Sequence, residues 1–140
     1  MKKRGIIFFI AGFMIIAASV LSFGDIFGSR PFRQLESSNV RSAGVSAFPP
    51  DITAEIKGEE EIKKLVNILK TIVIYQKDDS GRDYDGQLVQ FALSMDDGSM
   101  LEVGAYGSFL FINGVCYRTK YEPCEELNAL GNILINAYVK

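Results

Sequence analysis

The sequence predicts an α+β fold, and three patterns predict it. Several segments of the distal half alternate apolar and polar residues with period two. Two further segments carry apolar stripes at helical spacing, and Asp97-Gly98 and Asn113-Gly114 mark tight hairpins between alternating runs. The expected domain is an antiparallel meander packed with two amphipathic helices, one before it and one at its end, and an N-terminal transmembrane helix precedes it. At 140 residues the chain has room for one domain beyond that helix.

The leader comes first. Lys2, Lys3 and Arg4 stand before any acidic residue, and an apolar run from Ile6 to Phe23 follows, interrupted only by Gly12, Ser19 and Ser22. Its 18 residues make a helix about 27 Å long, close to the roughly 30 Å hydrocarbon core of a bilayer. A soluble helix of that length would show a polar face. The basic leader keeps the N-terminus cytoplasmic and sends the rest outward. Two fates remain open. Ala17 and Ser19, or Ser22 and Gly24, offer small residues at a signal-peptidase spacing, which would release a secreted protein. The run exceeds the usual 7–15-residue signal core, and that favours a retained anchor over residues 1–24. No cysteine follows the run directly, so a lipid-linked start is excluded.

Residues 25–39 show no sustained period and contain Gly28, Pro31 and paired serines; they read as a tether, with a short helical turn near 31–36. The domain proper spans 40–140. Val40 to Phe48 is β-compatible, Pro49-Pro50-Asp51 bends the chain, and Ile52, Ala54 and Ile56 alternate with polar residues as a second strand. Ile62, Leu65, Val66, Leu69 and Ile72 form a helical stripe whose first turn holds Glu59, Glu60 and Glu61, where the helix dipole favours them. The helix is expected over about 59–70, followed by a β-branched strand from Ile72 to Tyr75. A polar loop runs from Gln76 to Gly86. Strands then follow at Val89–Met95, Leu101–Ala105, Phe109–Ile112 and Val115–Thr119. Pro123 suits the start of a last helix, with Leu127, Leu130, Leu134 and Tyr138 on its apolar stripe.

Composition narrows the chemistry. The chain has no histidine, which excludes Ser-His-Asp and Cys-His catalysis and every His-ligated metal or haem. Two cysteines cannot build a four-Cys zinc site or an iron–sulfur cluster. The net charge of −2 hides a +3 leader and an exported part of −5, so neither nucleic acid nor an anionic surface is an expected partner. No cofactor and no catalysis are expected.

Three groups of residues have chemistry worth weighing. Cys116 on the last strand and Cys124 in the last helix are permitted a disulfide by an oxidising exterior, and two packed thiols are the alternative. A reactive Cys124 thiolate at a helix start is disfavoured by Glu125 and Glu126 and by the lack of a base. Asp78, Asp79, Asp83 and Asp85 form an oxygen-rich loop with Gly81 and Gly86. Their spacing misses the EF-hand template and Arg82 stands among them, so a solvated cover of a sheet edge competes with a Ca²⁺ loop. Tyr117, Arg118, Lys120 and Tyr121 interleave aromatics with bases as a binding rim would, or as a soluble strand end would.

Pro49-Pro50-Asp51, E-E-I-K-K-L-V-N-I-L, I-V-I-Y, D-G-Q-L-V-Q-F-A-L and F-I-N-G-V-C-Y-R-T-K-Y-E-P-C-E-E-L-N-A-L together resemble an uncharacterised extracytoplasmic domain of clostridial-type Gram-positive bacteria. That domain occurs alone in small anchored proteins and as a C-terminal module of membrane zinc-peptidases of the beta-lactam-sensor type. The resemblance spans about residues 32–139, and Tyr117 to Asn128 is its most specific piece. Cys116 departs from it, standing where relatives carry a small residue. The peptidase signature H-E-x-x-H is absent, so only the sensor-side module is represented. The resemblance implies an anchored module that binds a ligand or protein at the cell surface without catalysis. The alternative is an exported inhibitor or immunity-type protein released by cleavage.

Overall fold

Nine regular elements build the domain: β1 (Val40–Phe48), β2 (Ile52–Ile56), α1 (Glu59–Thr71), β3 (Ile74–Lys77), β4 (Leu88–Met95), β5 (Met100–Tyr106), β6 (Phe109–Ile112), β7 (Val115–Thr119) and α2 (Tyr121–Tyr138). They come from a computed structural model that describes residues 28–83 and 85–138. The seven strands form one antiparallel sheet in the order β2-β1-β4-β5-β6-β7-β3. The fold is α+β, a seven-stranded antiparallel sheet with two helices. The expected anchor over 1–24 lies outside the described residues, and no described helix is long and apolar enough to cross a membrane.

Local chemistry sets the turns. Asp51 adopts φ +64°, and its N–H donates to the Ala47 carbonyl at 2.8 Å, closing the β1–β2 hairpin where the prolines predicted a bend. Gly98 sits at φ +89° while the Asp97 carboxylate accepts the Ser99 N–H at 2.8 Å. Asn113 and Gly114 both take positive φ, +47° and +86°, the backbone a two-residue hairpin needs. The Asn113 side chain also accepts the Glu102 N–H at 2.8 Å, tying this turn to β5.

The meander is real only for β4 to β7. β1 lies between β2 and β4, and β3 lies at the far edge beside β7. The segment containing α1 therefore carries the chain from one edge of the sheet to the other. Ile72 caps the end of α1 and is not part of the strand: its N–H bonds back to the Leu69 carbonyl, and its side chain is wholly buried. β3 starts two residues later than the β-branched run suggested.

One face of the sheet holds the core. Val45, Val89, Phe91, Leu93, Val103 and Leu110 point into it from four neighbouring strands, and Leu65, Leu69 and Leu127 meet them from the helices. α2 lies across β1, β2, β4 and β5 and packs beside α1. Gly131 permits this closeness, because a Cβ there would stand 2.3 Å from Val89 Cγ1 and 3.3 Å from Val45 Cγ2. α2 begins at Tyr121, earlier than expected, so Pro123 occupies its third position. The first turn lacks intrahelical acceptors for its N–H groups, which is why proline is tolerated there. The described part of the expected tether is docked on the domain. Ser29 pairs with Ile74 through two backbone bonds of 2.9 and 2.8 Å, and Phe32 is 5 % exposed.

Candidate functional site

Among the described residues, the sheet's second face carries no α-helix, only the short 3-10 turn Asp79–Asp83 at one end. Strand alternation sends Phe48, Leu88, Tyr106, Phe109 and Arg118 to it, since their neighbours Ala47, Val89, Ala105, Leu110 and Tyr117 point into the core. Pairing lines these five up: Phe48 opposes Leu88, Tyr106 opposes Phe109, and Phe109 opposes Arg118. Leu88 precedes Val89, which opposes Ala105, so Leu88 meets Tyr106 in the same row. The row crosses five strands, about 19 Å at the usual strand spacing. Phe48 is 40 % exposed, and Leu88, Tyr106 and Phe109 are half-buried. The adjoining row is small and polar over its first strands: Thr53, Ser46, Gln90 and Gly104 lead to Phe111 and Cys116.

The acidic loop folds over one end of this face. Gly81 lies on β6 and β7, where a Cβ would stand 2.6 Å from both the Cys116 sulfur and the Phe109 ring. The Arg82 guanidinium rests 5.4 Å from the Phe111 centroid and donates to the Gly114 carbonyl at 2.6 Å. Arg118 sits 5.4 Å from the Phe109 centroid and donates to Asp78 at 2.7 Å. Two arginines thus flank two phenylalanines, at distances where the ring quadrupole attracts a cation. The Ser80 hydroxyl and N–H, with Arg118, hold the Asp78 carboxyl down to about 2. The Asp78 N–H in turn bonds the Cys116 carbonyl at 3.0 Å.

Two of the sequence candidates therefore meet, the acidic loop through Asp78 and the aromatic–basic stretch through Arg118. The other members separate. Tyr117 is 8 % exposed inside the core, which corrects its place in the rim; burial raises its phenol. Lys120 and Tyr121 are exposed at the junction of β7 and α2. Asp79 pairs with Arg82 at 3.3 Å, and Asp83 and Asp85 are exposed. No group of three or more His, Cys, Asp or Glu among the described residues is placed to hold a metal ion. Asp78 and Asp79 turn to arginines, so the four carboxylates expected of a calcium loop do not converge.

The cysteines are both free thiols. Cys116 opposes Phe111 on the helix-free face, whereas Cys124 belongs to the core cluster on the helical face, so the sheet stands between them. Burial pushes the Cys124 thiol up to about 12, and burial also raises Cys116. Cys124 lines a shallow hollow of about 270 Å³ with Gly86, Tyr121 and Asn128. A neutral thiol in so small a hollow offers neither a nucleophile nor room for a drug-sized ligand. A larger hollow of about 650 Å³ near Arg41, Glu55, Lys57 and Lys63 mixes charges of both signs without a convergent polar set.

No sequence pattern marks Arg82, Phe48, Leu88, Tyr106, Phe109 and Phe111 as members of one site. The available signal is the Phe109-x-Phe111 spacing, which puts two aromatics on the face opposite Leu110. No family model, no curated protein and no solved structure matches this chain.

Proposed function

We propose that this protein is a membrane-anchored extracytoplasmic module without catalysis, and that it recognises a protein partner through the helix-free face of its sheet. The observation that carries the reading is the row Phe48, Leu88, Tyr106, Phe109 and Arg118, bordered by Arg82 and Phe111. Aromatic and arginine side chains supply most of the binding energy at protein interfaces, and a flat face suits a protein better than a small molecule. Location rests on Lys2, Lys3, Arg4 and the apolar run over 6–23. The resemblance of Tyr117 to Asn128 to the module of membrane sensors supports the same role.

A photo-activatable benzoyl-phenylalanine at Phe48 of the full chain, in the native membrane, tests the partner reading. One discrete adduct is expected, weakened by Tyr106→Ala and by Arg118→Ala and missing when the probe replaces Ile133, which is exposed on α2. The same adducts from both positions, or none from Phe48, would contradict the reading.

A further inference from the structure

The part of the chain after the apolar run is acidic as a whole, yet its bases are not spread evenly. β3 and the chain that closes it form one edge of the sheet. Ser29 pairs with Ile74 through two backbone bonds, and Gly28 lies against Val73 and Tyr75, where a Cβ would stand 2.6 and 2.9 Å from their side chains. Thr119 opposes Ile74, and its hydroxyl donates to the Val73 carbonyl at 2.5 Å, which brings Lys120 to the same edge. Residues 28–35, 70–77 and 119–121 thus run through or beside this edge. They hold Arg30, Arg33, Lys70, Lys77 and Lys120, five of the twelve bases of residues 25–140 and none of the seventeen acids. Arg30, Arg33, Lys77 and Lys120 are exposed, as is Tyr121. Of the acids that border the edge, Asp78 is already paired with Arg118, and Glu36 and Glu122 flank it.

The length of chain before Ser29 sets where this edge stands. Six peptide steps separate Phe23, the end of the apolar run, from Ser29. They span at most about 21 Å. The headgroup layer takes up about 6 Å of that. With the run in the bilayer, Ser29 stands within about 15 Å of the headgroup surface, while β2 lies six strand spacings away, about 29 Å. We propose that the β3 edge rests on the bilayer, with Arg30, Arg33, Lys77 and Lys120 among the headgroups of anionic phospholipids. The inference rests on the membrane anchor proposed above.

Charge complementarity and reach support the same placement. Basic side chains beside a membrane-spanning segment are drawn to an anionic leaflet, and the attraction falls off within a Debye length, about 8 Å at physiological salt. A tether this short keeps the edge near that range, which a long linker would not. Tyr75 and Tyr121 suit the same boundary, since a tyrosine ring joins an apolar body to a polar tip. The acidic remainder is repelled by the same surface, so the domain stands edge-down and leaves the aromatic row open to a partner.

Fluorescence quenching of the full chain in vesicles tests it. A dye on Gln76→Cys of β3 is compared with one on Thr53→Cys of β2; both positions are exposed, and the native thiols are buried. The quencher is a spin label on the lipid headgroup, in phosphatidylcholine alone or mixed with phosphatidylglycerol. Adding phosphatidylglycerol should raise quenching at Gln76→Cys several-fold and leave Thr53→Cys nearly unchanged, and high salt should cancel the rise. Arg30→Glu with Lys77→Glu should cancel it too, and so should Arg33→Glu with Lys120→Glu. All four side chains are exposed, so the fold tolerates these changes. Quenching at Gln76→Cys indifferent to phosphatidylglycerol or to the charge reversals, or an equal rise at Thr53→Cys, would overturn the docking. Flotation with the vesicles in alkaline carbonate reports the anchor separately: a chain that floats without the charge-dependent rise overturns the docking alone. A chain that does not float overturns the anchor and the inference with it.

Discussion

Asp78 ties its loop to the sheet twice, taking Ser80 and Arg118 through its carboxylate and Cys116 through its N–H. Its carboxyl titrates lower in the folded chain, about 2, than in an unfolded one, about 3.9. A depressed carboxyl contributes stability that is present above the unfolded value and lost as pH falls through the folded one. Thermal midpoints should therefore drop between about pH 4 and pH 2, and Asp78→Asn should flatten that drop while lowering the midpoint at neutral pH. The cysteines make the opposite case, because burial raises both thiols. Ellman's reagent at pH 8 should leave the native protein nearly unreacted and find two thiols after denaturation in guanidinium. A disulfide would yield none in either state. Residue chemistry was readable in the sequence only where it needed no third dimension. Lacking histidine settles catalysis by histidine, but Tyr117 and Arg118 are neighbours whose roles diverge because adjacent strand residues face opposite ways.

Elements held up better than their partners. Period-two runs, β-compatible and β-branched composition and helical stripes located the seven strands and both helices, β3 two residues early, and Asn-Gly and Asp-Gly placed two turns, because these depend on local chemistry. Sequence could not show that β3 travels to the far edge, since strand order depends on which apolar faces meet after collapse. Nor did it mark Gly131, a helical glycine whose purpose appears only with Val89 beside it. Gly131→Ala gains about 1 kcal/mol of helix propensity but forces a Cβ to within 2.3 Å of Val89. Overpacking costs about 1–3 kcal/mol, so a net loss in urea denaturation is the expected outcome. α2 is also pinned by Asn132 and Gln87, whose amides bond each other at 2.9 and 3.2 Å while Gln87 reaches the Pro49 carbonyl at 3.0 Å. Asn132→Ala leaves the Gln87 amide short of its main partner and should cost about 1–2 kcal/mol, with the β1–β2 turn loosening first in hydrogen exchange.

At the scale of the molecule, the described α-helices lie on one face of the sheet and leave the other without an α-helix. That asymmetry explains an aromatic row among polar neighbours: the helical face buries Phe91 and Leu110, while Phe109 and Phe111 find arginines instead. Charge divides the same way, with a basic leader before the apolar run and an acidic remainder of −5 after it. We propose that this remainder stands outside the membrane, on a cytoplasmic N-terminus. Both native thiols are buried, so a membrane-impermeant maleimide on intact cells reports only an introduced cysteine. Glu102 is exposed on the helix-free face, and Lys3 precedes the apolar run. Glu102→Cys should label in intact cells, and Lys3→Cys only after permeabilisation. Protection of Glu102→Cys until the cells are opened would contradict this topology.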